Sequence, residues 1–156
     1  MDKDNRMSWD EYFMEIAKLA SKRSTCLRRQ VGAVLVRDNQ ILATGYNGSP
    51  KGTYHCIDTG ECMRQKLGIP SGQRHELCRA AHAEMNAVAQ CASHGTSCNG
   101  ATVYVTATPC SLCTKILINS GIKKIVALEY YPDKMGLELT AEAGIETIVL
   151  DSKEQV

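Results

Sequence analysis

The sequence has almost no excess charge of either sign. Eighteen Lys and Arg stand against seventeen Asp and Glu, a formal net charge of +1. The global basic field of a dedicated nucleic-acid binder is therefore missing. No apolar run approaches the roughly 18 residues of a membrane-spanning helix. No apolar signal core follows Met1-Asp2-Lys3-Asp4-Asn5-Arg6, so the expected location is the cytoplasm, with no membrane partner. There is no internal repeat, linker or low-complexity tract. What is left is 156 residues of ordinary globular composition, the size of a single domain over 1–156 that can bury a real core.

Cysteine is the exception to this plainness, with eight residues. A disulfide scaffold would use that number, but it belongs to secreted chains, and nothing here signals secretion. In a reducing compartment, cysteines at ligand-like spacing read as metal-binding.

Ser8-Trp9-Asp10-Glu11 forms a capping box, with Ser8 at the N-cap and Glu11 at the third helical position. Apolar Phe13, Ile16, Ala17, Leu19 and Ala20 follow at helical spacing, which predicts a helix over 9–22. Segments 31–36 and 40–46, joined at Asp38-Asn39, read as a hairpin. Residues 47–80 carry Gly, Pro, His and Cys with little periodicity, a Cys/His-containing insertion at about 48–80. A structureless stretch of that length inside a domain is usually functional and needs something to hold it. Regular alternation then resumes: helix 82–91, strand 101–106, helix 111–120 with Gly121 as the residue after its cap, strand 124–128, helix 134–143 and strand 145–150. Strands alternating with helices after an opening hairpin predict an α/β sandwich with a mixed sheet.

His82-Ala83-Glu84 precedes Pro109-Cys110-Ser111-Leu112-Cys113. H-x-E…P-C-x-x-C is the established signature of the zinc nucleobase deaminases. Its residue types fit the chemistry. His82, Cys110 and Cys113 supply three ligands, and a catalytic zinc keeps its fourth position for water. Glu84 can move that water's proton without binding the metal. Cys110 and Cys113, three apart, lie in the first turn of a helix whose entry suits Pro109. The N-terminal end of that helix favours thiolate. Two thiolates weaken the metal's pull on its water, and the two helix starts restore some positive potential. A closed structural zinc site or a redox Cys pair would need only the CxxC; the spaced His-x-Glu argues against both.

The wider pattern resembles the cytidine and deoxycytidylate deaminase superfamily, and within it the deoxycytidylate (dCMP) deaminases. The resemblance covers roughly 8–150. It rests on Ser24-Thr25-Cys26-Leu27-Arg28 leading into Val31-Gly32-Ala33-Val34, on Gly45-Tyr46-Asn47-Gly48-Ser49-Pro50, on His55-Cys56, on His82-Ala83-Glu84-Met85-Asn86-Ala87, and on Tyr104-Val105-Thr106 ahead of Pro109-Cys110. It implies a three-layer α/β/α sandwich with a five-stranded mixed sheet, and conversion of dCMP to dUMP with release of ammonia, feeding dTTP synthesis. It also implies roles: Asn47 on the deoxyribose hydroxyl, Ser24 and Arg28 on the 5′-phosphate, with Ala83 and Tyr131 completing the substrate site. A guanidinium fork suits phosphate. Homo-oligomers, hexamers or dimers, and the effectors dCTP and dTTP are further family properties.

Cys26, Cys56, Cys62 and Cys78 bracket the insertion, and a second, structural zinc would pin it. The resemblance implies ligands at Cys26 and Cys56. Cys78 is the candidate third, while Cys62 competes with His75 and His55 for the fourth. The alternative is four packed thiols. Cys91 and Cys98 read as structural, and His94 as a surface residue at a helix end. Two other functions stay open: deamination of another nucleoside, nucleobase or transfer-RNA base, and an inactive zinc-stabilised binding module. The first should bring a basic surface if the substrate is tRNA. The second should have lost Glu84.

Overall fold

A computed structural model describes residues 4–151. Its centre is a five-stranded sheet in the order β2-β1-β3-β4-β5, built from β1 (Gly32–Arg37), β2 (Gln40–Tyr46), β3 (Thr102–Ala107), β4 (Lys124–Glu129) and β5 (Glu146–Val149). The β1–β2 and β1–β3 pairs are antiparallel, whereas β3–β4 and β4–β5 are parallel. The sheet is mixed, as the sequence predicts. Asp38 and Asn39 both have positive φ (52° and 58°), the conformation of a tight two-residue hairpin turn.

Helix α1 (Trp9–Ser21) covers one face, burying Phe13, Met14 and Ala17 against Val34, Val36, Tyr104 and Val126. Its capping box forms, with Glu11 N–H donating to Ser8 Oγ at 3.2 Å and Ser8 N–H to Glu11 Oε2 at 3.0 Å. Helices α4 (Ala83–His94) and α5 (Ser111–Asn119) cover the other face, where Ala83, Ala87, Cys91 and Leu117 meet Leu35, Val103, Val105 and Ile125. Helix α6 (Lys134–Glu142) packs on α5. The α4 helix runs three residues past its expected end because Gly95, in the left-handed region at φ 68°, is what stops it. His94 is its exposed last residue.

Gly45 sets how closely α4 approaches the sheet. A Cβ there would lie 2.2 Å from the Ala83 carbonyl oxygen and 2.7 Å from Ala87 N. Only glycine lets the first turn of α4 rest on β2.

The insertion is not structureless. It contains two single-turn helices, α2 (Cys56–Thr59) and α3 (Met63–Lys66), and a 3₁₀ turn at His75–Leu77. Gly48 and Ala81 close its base with two backbone bonds, Gly48 N–H to Ala81 O at 3.1 Å and Ala81 N–H to Gly48 O at 2.9 Å. Elements of four and three residues are too short to leave a periodic pattern, which is why the sequence reads them as loop.

Candidate active site

His82 and Cys110 occupy the same local position, the N-cap of α4 and of α5. An N-cap side chain ordinarily accepts a hydrogen bond from the helix's own first turn. Neither does so here, so both side chains are free to point at a shared spot. Pro109 therefore stands one residue ahead of the N-cap, not inside the helix. Cys113 is the third residue of α5 and reaches the same spot. His82 Nδ1 lies 3.4 Å from Cys110 Sγ and 3.3 Å from Cys113 Sγ. A tetrahedral zinc with ordinary Zn–N and Zn–S lengths sets nitrogen and sulfur about 3.6 Å apart, so the three donors fit that ion. Among the described residues, this is the one group of three or more His, Cys, Asp or Glu ligand atoms within 4.8 Å of each other.

The two sulfurs hold their protons unequally. The hydrogen bond from Cys113 brings the Cys110 thiol down to about 4; burial opposes this and His82 reinforces it. Cys113 is pushed up, because it supplies that proton, and burial adds to the shift. The pair thus shares one proton, which a bound metal ion would displace. Glu84, second in α4, is 4% exposed. Burial pushes its carboxyl above the usual range, while His82 pulls the other way.

Asp133 holds this geometry from outside the signature. As N-cap of α6 it accepts from Gly136 N–H at 3.0 Å, and its other oxygen accepts from Ser111 N–H at 2.8 Å. One carboxylate ties the first turn of α6 to the first turn of α5, immediately after Cys110. Sequence reasoning missed it, although an Asp ahead of a predicted helix is a readable N-cap signal.

A cavity of about 310 Å³ opens over His82 and Cys110, with Cys113 buried behind them, a volume suited to a small organic ligand. Asn47, Arg28, Ala83, Glu84 and Tyr131 line it. Asn47 is buried, with Oδ1 accepting from Val31 N–H at 2.9 Å and Nδ2 donating to Arg29 O at 2.8 Å. One amide hydrogen and one lone pair remain for a ligand. Arg28 Nη1 is buried without a partner. Tyr131 lines the cavity and Tyr130 does not; Thr108 Oγ1 fixes it, accepting from Tyr131 N–H at 2.7 Å. The Arg29 guanidinium lies over its ring at 5.1 Å. Ser24 does not line the cavity. Its hydroxyl faces the Asn47 carbonyl at 3.1 Å and accepts from Cys26 N–H at 3.2 Å, which makes it a brace for the segment that carries Arg28.

The remaining cysteines are free thiols. Cys26, Cys62 and Cys78 all lie within electrostatic reach of Cys56: after burial, they are what push its thiol up. They are not gathered to ligand spacing. His75 does not join them. Its ring stands edge-on to His82, centroids 5.0 Å apart, and its Nε2 is 3.4 Å from the Tyr131 hydroxyl. His55 is turned to Thr25 Oγ1 at 3.0 Å. Proximity across a fold is invisible in spacing, and it moves His75 from the cysteines to the catalytic cavity.

A model of the cytidine and deoxycytidylate deaminase zinc-binding region matches residues 7–129. The chain belongs to the cytidine and deoxycytidylate deaminase family. It carries that family's zinc-binding region, and His82, Cys110 and Cys113 are the donors it offers to the ion. It is 42% identical over 149 residues to ComE operon protein 2 of Bacillus subtilis, covering 94% of this chain and 74% of that one. It is 40% identical over 142 residues to the deoxycytidylate deaminase of Schizosaccharomyces pombe, covering 90% of this chain but only 44% of the yeast protein. In structure it resembles the dCMP deaminase of cyanophage S-TIM5 crystallised with dCMP and dUMP, with TM-score 0.74, 30% identity, and coverage of 91% and 98% of the two chains. The five-stranded mixed sheet in three layers is the architecture of this family.

Proposed function

We propose that the protein is a zinc-dependent deaminase that hydrolyses dCMP to dUMP and ammonia. The observation that carries this reading is one cavity lined by His82 and Cys110 of the His–Cys–Cys donor set, by a buried glutamate, and by Arg28, whose Nη1 is buried without a partner. The S-TIM5 enzyme, crystallised with this substrate and product, supports it.

Zinc held by His82, Cys110 and Cys113 would lower the pKa of water at its open position and so supply a nucleophile near neutral pH. The chain's own residues do the rest. Glu84, kept prone to protonation by burial, accepts a proton from the attacking water and hands it to the ring nitrogen beside the amino-bearing carbon. It then carries the second proton to the amino group. The C–N bond breaks, ammonia leaves, and the carbon retains the water's oxygen as the new carbonyl. Asn47 uses its spare donor and acceptor on the deoxyribose hydroxyl. The backbone at Ala83 and the Tyr131 side chain bound the substrate, and Arg28 holds the 5′-phosphate.

The same reading includes a second zinc on Cys26, Cys56 and Cys78, with Cys62 as fourth ligand. Its support is the electrostatic reach of Cys26, Cys62 and Cys78 to Cys56 and the need to pin the insertion; it requires the four thiols to draw in around the ion. It also includes a cytoplasmic location, a homo-oligomeric assembly and regulation by dCTP and dTTP; the family resemblance supports the assembly and the regulation.

The test is an absorbance assay of the zinc-loaded protein on dCMP, CMP, deoxycytidine and cytosine. dCMP should have the highest kcat/KM, and Arg28→Ala should raise KM for dCMP far more than for deoxycytidine. Equal effects on both substrates would remove the phosphate role. Metal analysis should find about two zinc ions per chain; one ion, with Cys26 and Cys78 freely alkylated in the folded protein, would remove the second site.

A further inference from the structure

Arg64 was not expected at the site, yet it lines the same cavity as Arg28 and Glu84. It comes from α3, inside the insertion. One of its donors is used, Nη1 to the Gln73 carbonyl at 3.0 Å, which fixes the guanidinium against the insertion's own backbone. Its Nε is buried with no partner, as is Arg28 Nη1. Neither arginine meets a carboxylate among the described residues. The third arginine lining the cavity, Arg29, differs: its Nη2 is paired with Glu129 at 2.7 Å. Arg28 also hydrogen-bonds the Cys62 thiol and, against burial, helps draw its pKa down. The cavity still presents two guanidiniums without a carboxylate partner, one from the body of the fold and one from the insertion, each with a buried N–H to spare. Glu84 is the one carboxylate among its lining residues.

A buried N–H of a charged group without a partner is costly unless a ligand satisfies it. The number of charges also matters. A phosphate monoester carries about −1.5 to −2 near neutral pH, so Arg28 alone leaves it under-neutralised. We propose that Arg64 is a second phosphate ligand, so that the nucleotide's 5′-phosphate is held between Arg28 and Arg64 and the insertion takes part in choosing nucleotide over nucleoside. This rests on the reading of the site as a nucleotide deaminase. It assigns the insertion a substrate contact of its own.

The test separates the two. Turnover of dCMP by the unaltered, zinc-loaded chain tests the reading of the site. Calorimetric affinities for dUMP and 2′-deoxyuridine, neither of which turns over, test Arg64 whatever the turnover result. Arg64→Gln should weaken dUMP about tenfold or more, beyond any effect on deoxyuridine. Arg64→Lys, which keeps the charge but not the fork, should fall between. If Arg64→Gln weakens dUMP and deoxyuridine equally, Arg64 only shapes the insertion through Gln73, and the proposal is overturned. It is equally overturned if the unaltered chain binds dUMP no better than deoxyuridine.

Discussion

Glu84 illustrates how much one position can carry and how much of that a sequence can reveal. The signature singles it out, but its burial and its raised affinity for a proton come from the way α4 lies on the sheet. Glu84→Gln keeps the shape and removes the proton carrier. We expect kcat to fall by about 10²–10⁴-fold with zinc content unchanged; undiminished turnover would refute the proton-transfer role. Tyr104 gives a pH prediction away from the metal. Its hydroxyl donates to Asp10 at 2.7 Å, and burial, followed by Asp10, pushes its pKa up. The folded state therefore keeps the phenol proton at a pH where the unfolded chain has lost it. The stabilisation is complete below the ordinary tyrosine value of about 10 and is lost as pH rises above it. Chemical denaturation between pH 8 and 11 should show a steeper loss for the unaltered chain than for Tyr104→Phe.

Helix starts are the elements that matter most. The capping box of α1 was legible because both partners are local in sequence, and the period of the later helices was legible for the same reason. The shared role of two N-caps was only half legible: sequence shows that His82 and Cys110 begin helices, not that both leave their caps unmade. Asp133 is the test at this scale. Asp133→Ala removes acceptors for Ser111 and Gly136 N–H, and should cost about 1–2 kcal/mol in urea unfolding. It should also loosen the metal, because α5 would begin less firmly beside Cys110; a chelator competition that returns the unaltered zinc affinity would deny Asp133 that positioning role. Gly45→Ala places a methyl against the backbone of α4 and should destabilise by about 1–3 kcal/mol, read as a lowered urea midpoint.

Across the whole molecule, the sheet, its order of helices and the metal signature could be read from periodicity and motif, since both are encoded by neighbours along the chain. The insertion could not. Its helices are one turn long, and its contribution to the site lies in contacts made after it folds back: His75 beside His82, and Arg64 into the cavity with Arg28. Tyr131 was readable only through resemblance, and it is Thr108, a residue without any motif, that fixes it. The proposed site joins metal chemistry at one set of helix starts to recognition of a phosphate by arginines. The most direct test of that union is kcat/KM for dCMP against deoxycytidine, measured by absorbance on the zinc-loaded protein. The account predicts a preference for dCMP of about tenfold or more, the worth of a charge-assisted phosphate contact. Deoxycytidine turned over as efficiently as dCMP would contradict it.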